Sequence, residues 1–129
     1  MNTLSAPLMH ALSFDIEDWF HMVEIEAVED PKLWPELPSL VERRTEEILA
    51  ICQRANVRGT FFVLGWVAER YPAMVKRIAD EGHELATHSY WHRKVYSLTP
   101  EEFLKDMRRS IEVIESSSGS RVRGFRAPS

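Results

Sequence analysis

The sequence predicts an α/β domain built of parallel β/α units, about the first half of a (β/α) barrel. Short apolar, β-rich runs alternate with stretches of helical periodicity, an order that calls for parallel pairing and right-handed crossovers. The run TFFVLG at 60–65 is apolar at consecutive positions, the pattern of a strand covered on both faces. The polar clusters follow the ends of the strand candidates, where parallel sheets and barrels build their sites. The 129 residues suffice for one domain with a real core, whereas a full barrel needs about 200–250.

The first strand is ALSF at 11–14, running into the acids of 15-DIEDWF-20. Residues 21–39 carry Pro31, Pro35 and Pro38. They read as a proline-rich loop insertion within a single domain, 1–129, because proline cannot donate to a ladder or a helix. From Leu40 to Ala55, Leu40, Val41, Ile48, Leu49, Ile51, Cys52 and Ala55 recur at helical spacing, with Ser39 as cap and Asn56 as stop. TFFVLG is the second strand. WVAERYPAMVKRIADEG is a helix that restarts at Pro72 and stops at Gly82, positions those residues favour. HELATHS at 83–89 is the third strand and its exit loop. Thr99, Pro100 and Glu102 open the last helix as cap, first turn and capping-box partner. Its apolar stripe is Phe103, Met107, Ile111 and Ile114, and 116-SSSGS-120 is the turn after it. VRGF at 122–125 is a fourth strand, and its open edge invites pairing with a second copy of the chain.

Composition narrows the function classes. Hydrophobic residues make up 44% and charged residues 28% of the chain, which is globular rather than disordered. Sixteen basic against twenty acidic residues leave a net charge of -4 with no basic block, so no nucleic-acid partner is expected. The lone Cys52 makes no internal disulfide and fits a buried helical thiol in a reducing compartment. MNTLSAPLMHALSF lacks a basic region followed by a long apolar run, and FFVLGWVA is too short to cross a bilayer. No signal peptide and no transmembrane segment are therefore expected, and the location expected is cytoplasmic.

His88 and His92 stand four residues apart and share a face if the segment makes a helical turn. Two imidazoles and one carboxylate make a three-ligand metal site with room for water. The acids after the first strand supply the carboxylate. A bound metal acidifies its water, and a second carboxylate takes the proton, which is the apparatus of amide or ester hydrolysis. Asp15 and Glu17 point the same way if the strand continues, whereas Asp18 joins them only if the chain turns. Either Glu17 or Asp18 can be the ligand on this reading. Arg126 is placed to orient a catalytic carboxylate by a bidentate pair. Trp19, Phe20, Tyr90 and Trp91 flank the polar residues and suit a sugar ring or a pocket wall. Pro128 stiffens the strand exit. His83 reads as structural or exposed, His10 as an exposed terminal residue, and His21 lies near the acids without ligand spacing.

Together, SFDIEDWF, TFFVLGWVAERYP, EGHELATHSYWH, LTPEEFLKD and VRGFRAPS resemble the polysaccharide deacetylase family with its NodB homology domain, and more narrowly the branch found near exopolysaccharide and exosortase gene clusters. The resemblance implies a distorted (β/α) barrel of seven or eight strands, of which this chain is the N-terminal half. It implies Asp15 as general base, Glu17 or Asp18 with His88 and His92 as ligands of a divalent metal, most often Zn2+ with Co2+ as an alternative, and Arg126 orienting Asp15. Trp19, Phe20, Tyr90, Trp91 and Pro128 are read as the substrate contacts. The later motifs, with an aspartate partner and a histidine general acid, lie beyond the residues present. The implied activity is removal of N-acetyl groups from an exopolysaccharide of N-acetylhexosamine, on a polysaccharide or lipid-linked glycan, at the inner membrane face. The fragment itself is expected to bind metal and turn over weakly. Two other readings are an amidase of cyclic ureides or imides and a non-catalytic fragment that binds a metal or glycan.

Overall fold

A computed structural model describes residues 7–129. The first six residues, the start of the stretch read above as lacking leader character, lie outside the described residues. The elements are β1 (Ser13–Ile16), α1 (Val41–Ala55), β2 (Thr60–Val63), α2 (Gly65–Arg70), α3 (Pro72–Asp80), β3 (Glu84–Thr87) and α4 (Pro100–Ser118). The sheet is parallel, ordered β1-β2-β3, with Asp15 beside Phe62 and Phe62 beside Ala86. Helices flank it, as an incomplete barrel of βα units requires.

The helix signals act where the residues place them. Asn56 ends α1 in the left-handed conformation at φ 51°, and its amide bonds back to Cys52 and Gln53. Pro72 opens α3 directly after α2 ends. Thr99 Oγ1 accepts the Glu102 amide at 3.2 Å while Glu102 Oε2 accepts the Thr99 amide at 2.9 Å, a reciprocal capping box. Phe61, Val63, Leu64, Val67, Val75, Ile78, Leu49 and Ile114 are wholly buried in one core, each contributing about 1.5–3 kcal/mol by its removal from water.

Three expectations need correction, and the 21–39 loop gains internal detail. β1 begins two residues later than ALSF and extends through Asp15 and Ile16, because the ladder to Thr60–Val63 selects the register. The 21–39 segment is organised by 3₁₀ turns at Glu26–Val28 and Trp34–Glu36 and by the Trp34 indole donating to the Val28 carbonyl at 2.8 Å. Segment 122–125 forms only one parallel bridge, Thr87 to Phe125, instead of a strand; Gly124 has no side chain to pack on a pleat. Finally, α4 turns Asp106, Ser110, Ile114 and Ser118 inward, while Phe103, Met107 and Ile111 are only partly buried. Its inner face is set one position away from the apolar stripe, because Asp106 and Ser110 bond to the loop after β3.

That loop packs tightly on α2. A Cβ at Gly65 would lie 2.6 Å from Tyr90 Cδ2, 2.7 Å from Ser110 Oγ and 2.9 Å from Ser110 Cα, so no larger residue fits between them. The Gly65 amide reaches the Ser89 carbonyl at 2.8 Å. The chain of β3 is thereby delivered, in a fixed path, to His88 and His92.

Candidate metal centre

β1 aims alternate residues to opposite sides. Ile16 enters the core at 2% exposure. Asp15 and Glu17 both face the end of β3: Glu17 Oε2 lies 2.6 Å from His92 Nε2 and 3.4 Å from His88 Nε2, and Asp15 Oδ2 lies 3.9 Å from His88 Nε2. The two histidine Nε2 atoms are 3.1 Å apart. The segment is a loop, not the helical turn on which a shared face would have depended. Ser89 and His92 instead take left-handed backbone, φ 68° and 55°, and this folds the second imidazole back onto the first.

Glu17, His88 and His92 fit a divalent metal. Two nitrogens and one oxygen are a common hydrolytic donor set, and metal–ligand bonds of about 2.0–2.1 Å in a tetrahedron set ligand atoms about 3.3 Å apart. The Glu17 oxygen, although so close to His92, has no hydrogen-bond partner of acceptable geometry and is buried. A lone pair placed among lone pairs, off the N–H direction, is what a cation would satisfy. Among the described residues, Glu17, His88 and His92 form the one group of acids, histidines or cysteines with ligand atoms all within 4.8 Å of one another.

The surroundings fix the ligands. His88 Nδ1 lies 2.8 Å from the Arg126 carbonyl, which holds the proton on Nδ1 and leaves Nε2 as the donor. Burial pushes the Glu17 carboxyl up, but the two imidazoles beside it outweigh burial and bring the pKa down to about 2. Burial opposes charge on His88, yet Glu17, the Arg126 carbonyl and Asp15 raise its pKa overall. The site is therefore anionic at its carboxylate and prepared for positive charge.

The acids divide their tasks. Asp18 is not brought to the imidazoles, which corrects its place among the ligand candidates. It is 3% exposed, and its carboxylate accepts the Leu40 amide at 2.8 Å and the Ser39 hydroxyl, at the start of α1. The chain turns after Glu17 and carries Asp18 to that helix end. Arg126 does reach Asp15, with Nη1 at 2.6 Å from Oδ1, but the pair is single rather than bidentate. Its Nη2 donates to Ser13 Oγ at 2.7 Å, and the guanidinium lies 4.1 Å from the Phe62 ring centroid. Asp15 keeps Oδ2 free on the side of the imidazoles.

The aromatic residues separate as well. Tyr90 is wholly buried, its hydroxyl on Glu69 and its ring under Arg109, so it offers no surface to a ligand. Pro128 is buried too. Phe20 is almost fully buried, yet with Trp34, Trp91, His21 and His92 it lines a cavity of about 390 Å³. Trp19 remains exposed and donates its indole N–H to the Pro38 carbonyl at 3.0 Å.

His21, set aside by its spacing, is buried with Nδ1 accepting the Asp18 amide at 2.8 Å. Burial is the main cause that lowers its pKa to about 3. His83 is structural, its Nδ1 accepting the Gly59 amide at 3.1 Å. The sequence reading missed Asp106 and Ser110, whose side chains hold the loop. The signal was two polar residues, eight and four positions before Ile114, on the side of α4 that faces β3.

Comparison with known proteins follows the same lines. The family model described as polysaccharide deacetylase matches residues 29–129. The chain is 34% identical over 84 residues to the peptidoglycan-N-acetylglucosamine deacetylase of Bacillus cereus, covering 65% of this chain and 30% of that protein. The peptidoglycan deacetylase PdaC structure from Bacillus subtilis is 29% identical with a TM-score of 0.68, over 92% of this chain and 48% of that one. A CE4 family pseudoenzyme from Bacillus anthracis is 28% identical with a TM-score of 0.65, over 67% and 31% of the two chains. Among the described residues no helix is long and apolar enough to cross a membrane. The cytoplasmic location expected above is overturned by relatives named for peptidoglycan, a polymer of the cell wall outside the cytoplasm. That expectation rested on the first residues of a chain that spans about a third of its first relative's length. By its matched residues, its sheet and its metal-binding triad, the chain belongs to the polysaccharide deacetylase family.

Proposed function

We propose that the protein to which this chain belongs is a metal-dependent deacetylase that removes N-acetyl groups from a polysaccharide of N-acetylhexosamine, with an exopolysaccharide as substrate and Zn2+ as the metal. The observation that supports it above the others is the convergence of Glu17, His88 and His92 within ligand distance, with Asp15 Oδ2 beside them. A bound divalent cation supplies Lewis acidity and an acidified water at this point. Glu17, His88 and His92 hold it. Asp15, one oxygen tied to Arg126, accepts a proton on the other and serves as general base. Arg126 fixes that oxygen's direction through its side chain and His88 through its carbonyl. Trp91, half-buried at the cavity beside His92, and the exposed Trp19 provide ring faces on which a pyranose can pack.

The chain spans 30–48% of the relatives compared, and the acid that protonates the leaving amine is assigned to the remainder of the protein. Acetate release from N-acetylglucosamine oligomers by the full-length protein, with Zn2+ or Co2+ after chelator treatment, tests the reading. Metal-dependent release supports it; metal binding without release from any N-acetylated glycan refutes it. The second reading, a metal-binding protein without catalysis, is favoured by the likeness to a pseudoenzyme and predicts that second outcome.

A further inference from the structure

Asp106 is a buried carboxylate on α4, 5% exposed. Its Oδ2 accepts the Tyr90 amide at 2.6 Å and its Oδ1 accepts the Trp91 amide at 3.2 Å. These are two of the three residues between His88 and His92. Arg93 Nη2, at 3.9 Å from Oδ1, is its one ion-pair partner among the described residues, so the backbone amides are its principal solvation. The loop they belong to has left-handed backbone at Ser89 and His92, a conformation that residues other than glycine and asparagine adopt only when the surroundings impose it.

From this we infer that Asp106 is a positioning residue of the metal centre: by gathering the Tyr90 and Trp91 amides it holds the loop in the path that presents both imidazole Nε2 atoms to Glu17. Successive amides turned toward one anion form a nest, here closed by a side chain of the protein itself. The nest fixes the loop from outside. The His92 amide to Ser89 Oγ at 3.1 Å and Ser110 Oγ to the Ser89 carbonyl at 3.0 Å fix it from inside. Tyr90 and Trp91 reach neither Glu17 nor the imidazoles by hydrogen bonds, so Asp106 acts on the site only through the backbone it orders. The inference rests on the metal-centre reading of Glu17, His88 and His92.

The test compares Asp106→Asn with Ile114→Val in the full-length protein. Ile114 is wholly buried on the same face of α4 and makes no hydrogen bond to the loop through its side chain, so it reports loss of helix packing alone. Metal affinity is measured by chelator competition with Zn2+ and Co2+, together with the visible spectrum of the Co2+ form and amide exchange at Tyr90 and Trp91. We expect Asp106→Asn to lose about 10–100-fold in affinity, the range for removing a group that orients a ligand. We also expect an altered Co2+ spectrum and faster exchange at both amides, with Ile114→Val unchanged in affinity and spectrum. Equal affinity and spectrum in the two variants overturn the inference. Should Asp106→Asn not fold, Asp106→Glu, which keeps the charge but moves it by one methylene, is read against the same criterion. If the unmodified protein takes up no metal, the metal-centre reading fails and this inference with it; if it takes up metal and Asp106→Asn does so equally well, only this inference fails.

Discussion

Glu17 and Asp18 are adjacent acids with opposite assignments, and two substitutions separate them. Asp18→Ala removes acceptors from the Leu40 amide and the Ser39 hydroxyl. A hydrogen bond to a charged group contributes about 1.5–3 kcal/mol. Leu40 is 43% exposed and Ser39 is also exposed, so water replaces part of each bond and the low end applies, a total of about 2–3 kcal/mol. At this chain length each kcal/mol moves the melting temperature by roughly 3–5 °C, so Asp18→Ala should melt about 10 °C lower. Stability is measured in chelator by urea and thermal unfolding, because a bound metal would add its own stabilisation to the folded state. Metal affinity is measured separately by competition. For Asp18→Ala we expect the metal affinity of the folded protein to stay within a few-fold. For Glu17→Gln we expect more than about 100-fold loss of affinity, since losing a mere supporting hydrogen bond already costs about 10–100-fold; the metal-free melting temperature at neutral pH also falls, because the lowered Glu17 pKa makes its charge stabilising there. If Asp18→Ala abolishes metal uptake while leaving the metal-free melting temperature intact, or Glu17→Gln binds as tightly as the unmodified protein, the division between the two acids is wrong.

Arg126 acts on the site by two routes, and substitution reaches only one. Arg126→Ala in the full-length enzyme should lower kcat by about 10–100-fold through misplacement of Asp15 while metal affinity holds, because His88 is held by the backbone carbonyl; a collapse of metal affinity would contradict this. His21 makes folding sensitive to acid. Its pKa falls from 6.5 to about 3 on burial, so between those values the unfolded chain binds the extra proton. The His21 contribution is then complete above pH 6.5 and declines as pH falls through the window, by up to about 1.4 kcal/mol per pH unit. Glu17, lowered from 4.5 to about 2, adds to the decline below pH 4.5. His21→Asn keeps an acceptor for the Asp18 amide and should flatten the slope between pH 6.5 and 4.5 in urea unfolding of the metal-free protein; an unchanged slope would assign the acid lability elsewhere.

The alternation of elements, the stops at Asn56 and Gly82, the Thr99 capping box and the break at Pro72 were all legible from the residues, because each is a local preference acting within a few positions. The same holds for the pairing of Asp15 with Glu17 on one side of β1, which follows from the period of a strand. The metal triad was legible as two imidazoles and a choice of two acids. Only the tertiary structure decided that choice, since it depends on where the start of α1 lies to receive Asp18, some twenty residues further along the chain. It alone also showed Tyr90 turned into the core, Arg126 shared between Asp15 and Ser13, and Asp106 drawn inward on α4. Those facts depend on which backbone amides and hydroxyls stand opposite a side chain, and partners separated by fifteen to more than a hundred residues leave no periodic trace in the sequence.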